Sequence, residues 1–439
     1  MNINHNAVIL NDILKSSNSH ILDMLSETGK ALFFPKGILV QSAEAQGKAH
    51  LFNATIGMAT EKGKTMHLPS IMGLLGALTP EEALSYAPSY GIKPLRELWK
   101  KSEYNKNPSL AGKEISLPVV TNALTHGLSI TADMWLNQND VLVLPDKLWE
   151  NYDLIFELYH KVKMEIFPFF DNNFKLNISA FEETLTRAGN THGKVTTLLN
   201  FPNNPTGYTP TDKEADEIAD AIERVASRGI NIIVIVDDAY FGLVFEDGIL
   251  KESIFSKIHS RHPRILSIKL DGATKEDYVW GLRVGFITYG ASWNNENQRI
   301  PYDALEQKTG AAVRGTISNA CRLSQEVVLK AMGSSLYSEE KQNKYDIMKS
   351  RLLEVKRVLS NPIFKDAWDV YPFNSGYFMC IRLKHGSDGE KLRVHLLEKY
   401  GVGVIALNSS DIRIAFSCLD IGQIEEFFKI MLKAVNEIK

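Results

Sequence analysis

The 439-residue chain reads as an α/β protein built on a doubly wound parallel sheet, and three observations carry that reading. Apolar runs of strand length recur at Val141-Leu142-Val143-Leu144, Val195-Thr196-Thr197-Leu198-Leu199, Ile232-Ile233-Val234-Ile235 and Ile265-Leu266-Ser267-Ile268. They are continuous rather than alternating, which suits strands covered on both faces. Helical patterning lies between them. It is clearest where Thr211 and Glu214 form a capping box, Ala215, Ile218, Ala219, Ile222 and Val225 mark one apolar face, and Gly229 ends the helix. Polar clusters then follow two of the runs, at the strand ends where open α/β sheets bind ligands.

Composition narrows the function classes. The length is sufficient for two domains with large cores. Hydrophobic residues at 44% and charged residues at 23% describe an ordinary soluble globular chain. A formal net charge of −3 offers nothing to a nucleic-acid backbone. No apolar run reaches the length of a membrane span. The start, Met1-Asn2-Ile3-Asn4-His5, lacks a basic segment, and the patch Ala7-Val8-Ile9-Leu10 stops at Asn11-Asp12, so it does not read as a signal peptide. Cys321, Cys380 and Cys418 are odd in number and widely spaced. They are expected as reduced core or structural thiols in a cytoplasm, with no disulfide or metal framework.

In chain order, Ile9 to about Leu32 reads as one helix, with Ile13, Ile21, Leu22 and Leu25 apolar and Phe33-Phe34-Pro35-Lys36-Gly37 ending it. This arm could pack on its own domain or on a partner subunit. Asn53-Ala54-Thr55-Ile56-Gly57 is a short extended segment. Ser85-Tyr86-Ala87-Pro88-Ser89-Tyr90-Gly91 is a loop before a helix that starts at Pro94. Leu117-Pro118-Val119-Val120 leads into Thr121-Asn122-Ala123-Leu124-Thr125-His126-Gly127, which opens a helix whose first N–H groups suit a phosphate. His126, with no visible partner, reads as a helix-surface residue. A long helix is expected from about Tyr337.

The chemistry concentrates in three stretches. In Gly272-Ala273-Thr274-Lys275-Glu276-Asp277-Tyr278-Val279-Trp280-Gly281-Leu282-Arg283-Val284-Gly285, an amine precedes a guanidinium by eight residues. An amine placed tightly enough to depress its pKa can form a Schiff base, and a guanidinium fork suits a phosphate dianion. An aldehyde at one end and a phosphate at the other describes pyridoxal 5'-phosphate. Asn203-Asn204-Pro205-Thr206-Gly207 and Val236-Asp237-Asp238-Ala239-Tyr240 each follow a strand. Alone, they read as an ordinary turn and as capping carboxylates. Lys269, at the end of the run from Ile265, is a competing amine, fourteen residues from Arg283. Arg413, within Ile412-Arg413-Ile414-Ala415-Phe416, is a charge between apolar neighbours and needs a partner.

With Asn-Pro-Thr-Gly, Asp-x-Ala-Tyr, Thr-Lys followed by Arg-Val-Gly, and Arg-Ile-Ala in this order, the chain from about Asn53 onward resembles the class I aminotransferases of pyridoxal phosphate fold-type I, nearest the aspartate/aromatic subgroup. The resemblance implies a large domain, residues 67–345, with a mostly parallel seven-stranded sheet flanked by helices. A smaller α+β domain would come from both chain ends, 346–439 with part of 1–66, the rest of 1–66 forming an N-terminal arm. It implies transfer of an amino group between an L-amino acid, aspartate or aromatic, and a 2-oxo acid such as 2-oxoglutarate, in a cytoplasmic homodimer with shared active sites.

Residue by residue, the resemblance gives Lys275 the cofactor aldehyde and the proton transfer, Asp237 the pyridine nitrogen, and Asn204 and Tyr240 the ring oxygen. It puts Arg283, Thr125, the backbone at Ala123 and Leu124, and Tyr86 of the neighbouring subunit on the phosphate. Trp149 would stack on the ring, Arg413 would take the substrate α-carboxylate, Gly57 would lie near the substrate and Phe378 would be a pocket wall. Arg314, separated by three residues from Ser318-Asn319, would reach the partner's site as a distal-carboxylate anchor. Without the resemblance, Tyr86 is a half-buried loop aromatic, Trp149 a buried structural one and Arg314 a solvated helix residue. The chain departs from the pattern at Ala123 and Leu124, where glycine is usual, and at Gly272, where relatives often carry a phosphate-binding serine. Fold-type I lyases and decarboxylases share this cofactor grip. A non-catalytic ligand-sensing module would need a basic DNA-binding segment that the first fifty residues do not provide.

Overall fold

The structure is a computed structural model that describes residues 4–33, 37–293 and 297–438. Seven strands form its main sheet: β1 Val119–Asn122, β2 Val141–Pro145, β3 Lys163–Phe167, β4 Lys194–Asn200, β5 Asn231–Asp237, β6 Ile265–Asp271 and β7 Val284–Ala291. Their spatial order is β1-β7-β6-β5-β4-β2-β3. β7 runs antiparallel to both its neighbours, β1 and β6, and the pairs among β2 to β6 are parallel.

The continuous apolar runs are explained by the two faces of this sheet. Val141, Val143, Ile232, Val234 and Val236 pack with the helices Ile178–His192 and Asp212–Ala226. Their neighbours Leu142, Leu144, Ile233 and Ile235 pack on the other face with the helix Ala123–Trp135 and with Tyr302 and Val313. Side chains alternate across a strand, so covering both faces requires every position to be apolar. The Thr211–Glu214 capping box forms as expected. The helix it opens ends at Ala226, and Gly229 follows in a left-handed turn at φ +91°.

A second, four-stranded sheet joins Trp368–Val370, Phe378–Leu383, Ile405–Ala406 and Asp411–Ala415, with Phe378–Leu383 antiparallel to Asp411–Ala415. The helix Tyr337–Leu359 leads toward it. Phe52–Asn53 pairs in parallel with Val402–Gly403, which ties an early segment to this late region.

Three expectations change. The N-terminal helix is two helices, His5–Met24 and Glu27–Ala31, because Leu25 is extended and the Ser26 side chain caps the second by accepting from Gly29 N–H. The Ile21 side chain and residues 34–36 lie outside the described residues. Cys321 is exposed rather than in the core, on the residue that precedes the helix Arg322–Met332. Lys269 lies inside β6, which runs on to Asp271, rather than at its end. All three cysteines are free. Among the described residues no helix is long and apolar enough to cross a membrane, and no His/Cys/Asp/Glu group could hold a metal.

Candidate active site

A cavity of about 280 Å³ opens at the C-terminal ends of β4, β5 and β6. β5 ends on Asp237, whose carboxylate accepts from Tyr152 O–H at 2.7 Å and from Ala239 N–H at 3.1 Å. Burial raises the Asp237 pKa, and the Tyr152 and Ala239 bonds act against that rise. Asn200, the last residue of β4, donates its amide to the Asp237 carbonyl and accepts from Asn204 N–H, so it fixes both polar clusters to each other.

Beyond β6 the chain passes Gly272 in extended conformation and enters a single helical turn, Ala273–Glu276, that carries Lys275 into the cavity. Lys275 Nζ lies 3.4 Å from the Gly57 carbonyl and over the Tyr240 ring at 5.4 Å. Burial, with the nearby Arg283 and Arg413 charges, pushes its pKa down to about 8, against a smaller pull from Asp237. The competing amine, Lys269, meets Asp271 at 2.6 Å, Glu103 at 3.1 Å and Asp238 at 3.2 Å. It is fully buried and belongs to the core.

The absence of serine at position 272 has a packing cause. A Cβ there would stand 2.4 Å from the Val284 carbonyl oxygen and 2.8 Å from the Gly285 Cα. Another hydroxyl residue is close by in the chain: Thr274 lines the cavity, and its buried Oγ1 has no hydrogen-bond partner among the described residues. Thr125, Arg283 and the start of the helix Ala123–Trp135 line the same cavity. Ala123 holds φ +62°, a conformation that favours glycine, at a position where the sequence resemblance expects one. His126 helps to hold that turn. Its Nδ1 accepts from Asn122 N–H at 3.1 Å, and its Nε2 meets Thr316 Oγ1 at 3.0 Å. It is therefore half-buried and bonded, not the partnerless surface residue expected.

Arg413 reaches the cavity from the second sheet. It is 2% exposed, lies over the Phe378 ring at 4.2 Å, and donates to Asn204 Oδ1 at 3.1 Å and the Thr55 carbonyl at 2.9 Å. Its Nε has no partner, and it forms no ion pair among the described residues. Trp149 and Phe378 supply aromatic wall, Trp149 standing edge-on to Tyr152 with centroids 5.6 Å apart. A Cβ on Gly57 would touch Phe378 and Tyr240 only at ordinary contact distances of 3.6 and 3.8 Å. The missing side chain is therefore not demanded by the protein's own packing; it leaves cavity space.

Asn204, Asp237, Tyr240, Lys275, Arg283, Arg413, Trp149, Thr125, Leu124, Ala123, Gly57 and Phe378 thus share one cavity. Tyr86 and Arg314 do not join it within a single chain. Tyr86 is 89% exposed, not half-buried, and Arg314 is exposed on the helix Arg299–Ile317 with its guanidinium donating to Ser318 Oγ at 2.7 Å. Tyr152, Asn200, Thr274 and Ile38 also line the cavity, and sequence reasoning had not assigned them.

Residues 59–430 match the protein family described as aminotransferase class I and II. The chain belongs to that family. It is an enzyme of amino-group transfer, a transaminase. An aspartate aminotransferase of Sulfolobus acidocaldarius is 23% identical over 370 residues, 81% of this chain and 83% of the relative. An aromatic-amino-acid aminotransferase of Thermococcus litoralis is 25% identical over 203 residues, a match that spans about half of each protein, 46% of this chain and 48% of the relative. Among solved structures, an aminotransferase from Anaerococcus prevotii superposes with a TM-score of 0.81 over 95% of this chain and 100% of its own, at 22% identity. That likeness speaks for the fold of the transaminase.

Proposed function

We propose that this aminotransferase uses pyridoxal 5'-phosphate to move an amino group between an L-amino acid and a 2-oxo acid. The observation that carries the reading is one cavity holding a half-buried amine with a pKa near 8, a buried carboxylate, and a buried guanidinium without an ion-pair partner among the described residues. The cavity also fits the cofactor at its phosphate end. Thr274 Oγ1 is an orphaned buried hydroxyl, the helix from Ala123 opens there, and Arg283 stands beside them.

When bound, the cofactor supplies an aldehyde that captures amines and a ring that draws electrons from Cα. Lys275 Nζ would hold the aldehyde and, once displaced by substrate, take the Cα proton and return it. Its depressed pKa keeps part of the amine unprotonated near neutrality, as a base requires. Asp237 would keep the ring nitrogen protonated, oriented by Tyr152 and Ala239. Asn204 Oδ1 is taken by Arg413, so its amide nitrogen is the end that donates to the ring oxygen, beside Tyr240 O–H. Arg413 would bind the substrate α-carboxylate and so set the direction of Cα–H.

Aspartate and aromatic amino acids are the proposed donors and 2-oxoglutarate the acceptor, in keeping with the names of the relatives. A cytoplasmic homodimer is proposed in which Tyr86 and Arg314 act in the partner's cavity; their exposure supports this. Residues 67–345 would form the large domain, and 346–439 with part of 1–66 the small one, a division supported by the pairing of Phe52–Asn53 with Val402–Gly403. Single amino acids added to the holoenzyme test the reading. Loss of the yellow absorbance with matching release of the 2-oxo acid is the expected result, and a protein that never takes up the cofactor would overturn it.

A further inference from the structure

The cavity wall has one contributor whose position depends on a single carboxylate. Ile38 lines the cavity and is the first residue of the helix Ile38–Lys48. That helix is attached to the second sheet. Gln41 donates to the Ala406 carbonyl at 3.0 Å and accepts from Ala406 N–H at 2.9 Å. Glu44 pairs with Arg393 at 2.9 Å. A Cβ on Gly403 would come within 2.9 Å of Ala45. Glu150 follows the cavity-lining Trp149 in the segment that leaves β2 of the main sheet.

Glu150 spans the two. Its Oε1 accepts from Ile38 N–H at 2.8 Å. Its other oxygen, Oε2, occupies the space that a Cβ on Gly37 would need, 1.9 Å from that ideal position. Gly37 provides no side-chain cap for the helix, so an acceptor from a distant segment serves instead. A carboxylate at a helix N-terminus meets both the open N–H groups and the positive end of the dipole, and a bond to a charged acceptor is stronger than a neutral one.

We propose that Glu150 is a positioning residue that latches the helix Ile38–Lys48 to the main sheet and thereby sets the apolar wall that Ile38 presents to the substrate side chain. The latch rests on the transaminase reading only for its effect on substrate. It acts between the parts of the protein that deliver Lys275 and Arg413, so releasing it loosens the cavity without removing any group that touches the reacting atoms. Gly37 is part of the device, since only a residue without Cβ lets the carboxylate lie against the chain. The substrates most affected are L-amino acids with large apolar or aromatic side chains, because they reach the Ile38 wall; L-alanine is too short to depend on it.

The test compares wild-type holoenzyme with Glu150→Ala, Glu150→Gln and Gly37→Ala by hydrogen exchange at the Ile38 amide and by steady-state kinetics with L-phenylalanine and L-alanine. Glu150→Ala is expected to speed exchange at Ile38 and to raise KM for L-phenylalanine about tenfold, with kcat nearly unchanged. Glu150→Gln keeps an acceptor and restores most of both values, whereas Gly37→Ala, which displaces the carboxylate, behaves like Glu150→Ala. Unchanged Ile38 exchange in both Glu150→Ala and Gly37→Ala would overturn the latch, as would equal KM changes for the two donors. Exchange is read without turnover, so a wild-type protein that fails to transaminate would overturn the functional reading and leave the exchange result to decide the latch.

Discussion

Lys269 and Lys275 are six residues apart, on β6 and just beyond it, and the protein treats them in opposite ways. Both are desolvated, which disfavours a charged amine. Around Lys269, burial is outweighed by Asp271, Glu103 and Asp238, and its pKa rises above the ordinary lysine value. Around Lys275, burial is reinforced by Arg283 and Arg413, and Asp237 alone pulls the other way, so its pKa falls to about 8. The first is a permanent cation that holds β5, β6 and the helix Lys93–Lys106 together. The second lines the cavity with a lowered pKa, as the reactive amine of the proposed function would. The distinction comes from the charges within reach, since the more deeply buried of the two amines is the one whose pKa rises.

The largest expected effect separates the two chemically. Lys275→Ala should lower turnover by on the order of a thousandfold or more, because both cofactor anchor and base are lost; a variant that keeps most of its activity would erase the contrast. Lys269→Met should instead lower stability, by about 3–5 kcal/mol in urea unfolding, since three buried carboxylates lose their counter-ion. Its catalytic constants, measured on the folded fraction, should change little.

Next comes a stability gain. In the unfolded chain the Lys275 amine keeps its proton up to its ordinary value of 10.5, but in the folded protein only up to about 8. Between those values the unfolded state binds more protons, so apo-protein stability rises with pH, and the cost is fully present below about 8. Lys275→Met removes the cost and should stabilise apo-protein at pH 7 by at most about 3 kcal/mol, discounted because the side chain is only half-buried. The gain should disappear above pH ~10.5. The smallest effect concerns the one carboxylate on the Lys275 side. Tyr152→Phe removes the hydroxyl donated to Asp237 and should cost about 2 kcal/mol of transition-state stabilisation, read as a drop in kcat of roughly thirtyfold.

This contrast was partly legible in the sequence, since spacing to Arg283 and the preceding Thr274 favoured Lys275 over Lys269. The three carboxylates that settle it come from positions 103, 238 and 271, and only folding brings them together. The sheet was legible because Val141–Leu144 and Ile232–Ile235 have no polar face to hide. Arg413 was legible because a charge between isoleucines needs a partner. Tyr152 and Asn200 were not, since their signal is a hydrogen bond to Asp237 across 85 and 37 residues. Gly272 looked like a loss of a hydroxyl until the Val284 carbonyl appeared against it. Tyr86 and Arg314 stay outside the cavity of one chain, both exposed, as residues proposed to act in a partner's cavity would be.

The most direct measurement is to incubate the protein with pyridoxal 5'-phosphate across a range of pH, reduce with borohydride, and map the modified peptide. The label should fall on Lys275 alone, with half-maximal incorporation near pH 8. Label on Lys269, or none at all, would contradict the division between the two lysines.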